Sequence, residues 1–134
     1  MEYISGVADF SKNAKFVPTK AFSDTEKNVY SDNNVILYGT VQETKHTKTM
    51  SLDDTLITYT PTSHTLDFTC GSSGIHRLFF TFFGSAFVFS TNLDFLVNTD
   101  KKPFILLGNS SLRNISEVKY GKCGTFSSEG LKFY

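Results

Sequence analysis

The sequence predicts an all-β protein, a single antiparallel β-sandwich of the jelly-roll type, with a small β-barrel as the alternative. Three observations support this fold class. Short segments rich in β-branched and aromatic residues recur at intervals of roughly ten residues, and Gly, Ser, Asn or Asp residues separate them. No apolar pattern with helical spacing persists for three turns. The length of 134 residues fits one domain, which we expect to span residues 1–134.

The Phe-rich segment LFFTFFGSAFVFS, residues 78–90, is the most informative part of the chain. A membrane-spanning helix needs about 20 consecutive apolar residues, and this run is much shorter. Phe favours strands and Gly84-Ser85 is a turn signal, so we predict two strands at about 75–83 and 86–90. Both faces of these strands are apolar. One face must meet the core, and the other must meet a loop, a further layer or another subunit.

The second apolar face leads to a hypothesis of assembly. Compact β domains commonly close into symmetric oligomers, which cover such faces and protect strand edges. The candidate interface residues are Phe79, Phe83, Phe87 and Phe89.

The other elements follow from alternation and from turn residues. The segment GSSG at 71–74 is expected to turn a preceding strand directly into the Phe-rich strand, as a hairpin. A capping-box pattern predicts one short helix at 23–30. A closing hairpin is expected in 124–134, with its turn at Ser127–Gly130. Further strands are predicted at 14–22, 34–43, 55–60, 64–70, 93–97, 103–108 and 115–121, the last with a helical turn as the alternative.

The longest polar stretch, QETKHTKTMSLDDT at 42–55, is predicted to be a long exposed loop, and such loops are often functional. The candidate contact residues in it are His46, Lys48, Asp53 and Asp54. Adjacent acids lack the alternate spacing of a calcium-binding loop, so Asp53-Asp54 is interpreted as a turn.

Catalytic and metal-binding signatures are absent from the sequence. The three histidines, His46, His64 and His76, lack the spacing of zinc ligands. The segment CGSSG at 70–74 does not match a nucleophile elbow, and no glycine-rich loop leads into a helix. We therefore predict that the protein is not an enzyme and has no cofactor or metal.

The charge balance, the N-terminal segment and the two cysteines indicate which partners and which cellular compartment are expected. Thirteen acidic and thirteen basic residues give zero formal charge, which disfavours binding to nucleic acid. The segment MEYISGVADF lacks a basic leader and a long apolar run, so we expect a soluble protein without a targeting signal or a membrane partner. Cys70 and Cys123 are then expected to be reduced.

These observations lead to the hypothesis of a non-enzymatic structural or interaction protein. Its most specific form is a virion component of a phage or virus, such as a capsid decoration protein, a head fibre or a tail or baseplate subunit, which assembles with itself and with other virion proteins. One alternative is a β module that presents its loops to a glycan or receptor, for which Tyr30 and Tyr59 are candidate sugar contacts. The other alternative is a barrel that binds an apolar small ligand.

Overall fold

The structure, a computed structural model, describes residues 3–11, 17–18, 29–97, 104–105 and 114–134. Within these residues the chain forms fourteen strands and one short helix. They are β1 (Ser5–Ala8), β2 (Val17–Pro18), β3 (Val29–Ser31), β4 (Val35–Tyr38), β5 (Val41–Glu43), β6 (Lys48–Leu52), β7 (Thr55–Thr60), β8 (Thr65–Thr69), β9 (Leu78–Phe83), β10 (Ala86–Ser90), α1 (Leu93–Val97), β11 (Phe104–Ile105), β12 (Ser116–Val118), β13 (Cys123–Ser127) and β14 (Gly130–Phe133).

Twelve of the described strands form two six-stranded antiparallel sheets. The first sheet has the order β12-β9-β10-β1-β4-β3, and the second has the order β14-β13-β8-β7-β6-β5. The strands β2 and β11 pair as a separate two-stranded sheet. The two large sheets do not close on themselves, so the predicted antiparallel sandwich is confirmed and the barrel alternative is wrong.

The main core lies between the two sheets and is rich in aromatic rings. Phe87 of the first sheet stacks on Phe126 of the second, with 5.0 Å between ring centroids. Phe68 and Phe80 flank the Phe87 ring at 5.7 Å and 5.6 Å. Aliphatic side chains from both sheets fill the rest of the core, among them Val35, Leu37, Ile57, Leu66 and Leu78. Burial of these apolar surfaces is the main favourable contribution to folding.

The three central strands of the first sheet, β10, β1 and β4, are buried on both faces. Val7, Ile36 and Val88 are fully buried on the face that points away from the second sheet. Leu96 of α1 packs into the same cluster. The chain therefore covers the second apolar face itself, which explains why strands such as β10 are continuous apolar runs rather than alternating ones.

The predicted hairpin across GSSG is wrong, because this segment carries the chain from one sheet to the other. The strand β8 pairs with β7 and β13 in the second sheet, so both of its edges are occupied and none is left for β9. The predicted strand 34–43 is likewise divided at Gly39-Thr40 into β4 and β5, which belong to different sheets.

The segment 93–97 is a helix and not the predicted strand. The side chain of Asn92 accepts a hydrogen bond from the backbone N–H of Asp94 at 3.1 Å, as a residue at a helix start does. The strands at 55–60 and 64–70, the Phe-rich pair, the strand within 115–121 and the closing hairpin are confirmed. The predicted helix at 23–30 lies mostly outside the described residues, as do large parts of the predicted strands at 14–22 and 103–108.

Candidate functional site

The predicted interface residues are not exposed in the single chain. Phe87 and Phe89 are each 1% exposed in the core between the sheets, and Phe79 is 7% exposed on the covered outer face. Phe83 is half-buried beside Phe79. A buried side chain offers a partner almost no surface, so Phe79, Phe87 and Phe89 do not present an interface in the single chain.

The register of the Phe-rich hairpin explains this result. Its two-residue turn, Gly84-Ser85, places Phe82 opposite Phe87. Residues directly opposite each other share a face of the sheet. Phe87 and Phe89 therefore lie on the core face, whereas Phe79 lies on the opposite face of the sheet. The sequence interpretation had placed all three residues in one interface.

The predicted long loop at 42–55 is also wrong. Most of it forms β5, β6 and the start of β7, with short turns at 44–47 and 53–54. His46 is exposed in the first turn, Lys48 begins β6, and Asp53 and Asp54 are exposed in the second turn. A five-residue strand spans roughly 16 Å, so β6 holds the two turns at opposite ends of the sandwich and they do not form one surface.

The turn at Asp53-Asp54 contacts Ser73 and His76, which lie in the segment that crosses between the sheets. The carboxylate of Asp54 accepts hydrogen bonds from the backbone N–H of Ser73 at 3.0 Å and from its hydroxyl at 2.8 Å. His76 Nε2 contacts the carboxylate of Asp53 at 2.5 Å. The pKa of Asp54 is lowered, first by the Ser73 N–H and then by its hydroxyl, because both stabilise the charged carboxylate. These contacts link the turn at 53–54 to residues 73–76.

Replacing Asp54 by asparagine is expected to lower the free energy of unfolding near neutral pH, and the deficit should shrink in acid. A carboxyl whose pKa is lowered on folding adds stability above its unfolded-state pKa of about 3.9. That contribution is lost as the pH falls through the lower folded-state pKa. Urea unfolding of both proteins from neutral to strongly acidic pH measures the difference. Glu129→Gln is the surface control, and a deficit in Asp54→Asn that grows in acid would contradict the assignment.

An open concave surface lies at the other end of the sandwich. It is a cleft of about 310 Å³ between the end of β1, the β9–β10 turn and the β13–β14 turn. We call it the aromatic cleft, and its described lining residues are Asp9, Phe10, Ser11, Phe82, Gly84, Ser85, Phe126, Ser127, Ser128 and Gly130.

Three phenylalanine rings form the apolar side of the aromatic cleft. Phe10 stacks on Phe126 with 5.6 Å between centroids, and Phe82 lies 6.0 Å from Phe126. Phe126 is buried, whereas Phe82 is 45% exposed. The ring of His64 stacks on Phe10, with 5.6 Å between the ring centroids and an interplanar angle of 7°. The cleft therefore presents a preformed aromatic surface to solvent.

Asp9 and four serines form the polar side of the cleft. The Asp9 carboxylate accepts hydrogen bonds from the backbone N–H of Ser11 at 2.9 Å and from the Ser85 hydroxyl at 2.7 Å. A carboxylate has about four acceptor positions, so these two donors leave roughly two of them unfilled. Asp9 is only 8% exposed. Within the described residues no cationic side chain forms an ion pair with it.

The two tyrosines that the sequence suggested as sugar contacts lie behind this surface. The hydroxyls of Tyr59 and Tyr30 both donate to the carboxylate of Asp32, at 2.8 Å and 3.1 Å. Burial, followed by the charge of Asp32, raises the pKa of Tyr30 to about 12. Tyr59 is 1% exposed and its ring stacks on Phe10 at 6.2 Å, so it supports the cleft wall and does not face a ligand.

The remaining chemistry of the described residues is sparse. No three His, Cys, Asp or Glu side chains in this part of the chain are grouped so that they could hold a metal ion. Cys70 and Cys123 are both free, the first buried and the second half-buried. The one helix among the described residues has five residues, too few to cross a bilayer.

Comparisons of the chain with family models, curated proteins and solved structures give no match. Sequence interpretation missed the aromatic cleft because its residues come from distant segments. Asp9 and Ser85, which share a hydrogen bond, are 76 residues apart in the chain.

Proposed function

We propose that this chain is a non-enzymatic binding protein whose aromatic cleft takes a glycan. The observation that supports the proposal is the combination, in one open cleft, of an exposed aromatic ring with a carboxylate and serine hydroxyls. The apolar face of a sugar ring packs against an aromatic side chain, while its hydroxyls need nearby hydrogen-bonding groups. Ligand pockets commonly combine an apolar wall with a few polar groups in this way.

The geometry assigns separate roles to the two sides of the cleft. The exposed ring of Phe82 supplies the stacking surface, and Phe126 fixes its orientation from below. The free acceptor positions of Asp9 bind hydroxyls of the sugar. Ser127 and Ser128, on the opposite turn, provide hydroxyls that can donate or accept.

Replacing Phe82 by alanine is expected to weaken glycan binding by about tenfold or more, because the stacking surface is lost. A glycan array identifies the best oligosaccharide, and titration calorimetry then measures its Kd with each protein. Phe133→Ala is a matched control, since Phe133 is 42% exposed and lies outside the cleft. Equal weakening by both variants, or an array without any bound glycan, would contradict the proposal.

A second candidate function is the predicted role as a self-assembling virion subunit. The sequence-based reason for assembly was that the second Phe face needs cover. That reason no longer holds, because the chain buries this face itself. A different observation favours assembly: within the described residues β14 pairs with β13 alone, so one edge is open. That edge carries the exposed aromatics Phe133, 42% exposed, and Tyr134, 71% exposed. Open edges with aromatic side chains are suited to strand pairing with another copy.

If β14 mediates assembly, the protein should scatter light as a multiple of the monomer mass. The double variant Phe133→Ala with Tyr134→Ala should then shift towards monomer while remaining folded, with some loss of stability because Phe133 also contacts the rings of Phe68 and Phe80. Multi-angle light scattering over a range of protein concentrations measures both states. A wild-type protein that stays monomeric throughout would eliminate this candidate and leave the glycan proposal untouched.

A further inference from the structure

We infer that the aromatic cleft prefers amino sugars, whose ring carries a protonated amine, over N-acetylated and acidic sugars. This inference rests on the proposed function of the cleft as a glycan site and specifies the class of sugar.

The first argument is the charge of Asp9. The residue is 8% exposed, and the recorded hydrogen-bond donors to its carboxylate, the Ser11 N–H and the Ser85 hydroxyl, are neutral. A largely buried carboxylate without a cationic partner is unfavourable. In the described part of the chain, Asp9 belongs to none of the ion pairs. An ammonium group on the ligand would supply the missing positive charge through a charge-assisted hydrogen bond.

The second argument comes from the rings beside this carboxylate. The faces of phenylalanine rings carry negative electrostatic potential and attract cations within about 6 Å. Phe10, Phe82 and Phe126 line the cleft together with Asp9. Both components of the site thus favour positive charge in the same small volume.

The third argument concerns what the cleft excludes. Its described lining residues include one acid and no lysine or arginine. A carboxylate on a uronic or sialic acid would meet Asp9 without a compensating cation, and like charges brought together in an interface are strongly unfavourable. Neutral N-acetylated sugars can stack on Phe82 but leave the charge of Asp9 unpaired.

Titration calorimetry with three tetrasaccharides tests the inference: tetramers of glucosamine, N-acetylglucosamine and galacturonic acid, at a mildly acidic pH where the amine is protonated. We expect the glucosamine tetramer to bind at least about tenfold more tightly than the N-acetylated one. The galacturonic acid tetramer should show no binding. The preference should decline as salt is added, since it is electrostatic.

Asp9→Asn removes the charge with little change in shape, so it should reduce the preference for the amine to less than about twofold. Asp67→Asn is the matched control, because Asp67 is exposed on β8 outside the cleft. Ser85→Ala is a second test variant, which is measured if Asp9→Asn fails to fold. It removes a neutral donor from Asp9 and should retain or increase the preference.

The outcomes separate this inference from the function on which it rests. Equal binding of the glucosamine and N-acetylglucosamine tetramers overturns the charge preference and leaves the glycan site standing. Tight binding of the galacturonic acid tetramer also overturns it. Absence of binding for all three tetramers and for every glycan on the array overturns both proposals together.

Discussion

Replacing Phe87 by alanine is expected to lower the free energy of unfolding by about 3–5 kcal/mol. Phe87 is 1% exposed and lies at the centre of the aromatic core, within 5.0–6.0 Å of several other phenylalanine rings. Truncation to alanine removes the ring and leaves a cavity between two sheets that are each held by their own strand pairing. Such a cavity collapses only partly, so the loss includes both transfer and packing terms.

Urea unfolding followed by fluorescence or circular dichroism measures this loss, provided that the slope with denaturant is unchanged. Phe87→Leu is the matched control, because leucine fills more of the space than alanine and should cost clearly less. If the alanine variant unfolds within about 1 kcal/mol of the natural protein, Phe87 is not the centre of the core and the face assignment of β10 is wrong.

Replacing Gly6 by alanine is expected to lower the free energy of unfolding by about 3 kcal/mol. A Cβ at Gly6 would lie 2.6 Å from the backbone oxygen of Ile36 and 2.6 Å from Cζ of Phe89. Phe89 is the residue directly opposite Gly6 on β10, and its ring occupies the space that a side chain would need. The carbonyl of Ile36 belongs to the adjacent strand β4 and cannot move without disturbing the sheet.

Gly84→Ala separates crowding from backbone strain in this test. Nothing lies within 4 Å of a Cβ at Gly84, but its φ of +60° disfavours any side chain. We expect Gly84→Ala to cost about 1–2 kcal/mol, less than Gly6→Ala. A Gly6→Ala protein as stable as the natural one would show that Phe89 does not cover this glycine.

The same arrangement of a glycine beneath a phenylalanine occurs in the second sheet. Gly124 of β13 is paired with Phe68 of β8, whose ring contacts the position of a Cβ on the glycine. In the first sheet, the pairing of Gly6 with Phe89 explains why β1 was not predicted from the sequence. Its residues Ser5, Gly6 and Ala8 are small, so β1 has weak strand propensity of its own, and it is stabilised by the large rings of its neighbour.

Clear alternation was enough to predict Thr65–Thr69 of the second sheet, because that strand has one buried and one more exposed face. Lys48–Leu52 of the same sheet lies in a polar stretch and was predicted to be loop. The pairing of strands was not predictable in the same way. The chain after Cys70 turns to the other sheet because β8 already has two partners, and that depends on residues as distant as Cys123. The helix Leu93–Val97 is too short for a helical period to appear in the sequence.

The position of β1 has a consequence for how the chain is made. The meander of β5 to β8 consists of consecutive strands that pair with one another, so these four strands leave the ribosome close together. The strand β1 instead pairs with β10, and Ser5 meets Ser90, 85 residues later. A nascent chain therefore contains the whole meander while β1, which is synthesised before it, still lacks the neighbour whose rings cover it.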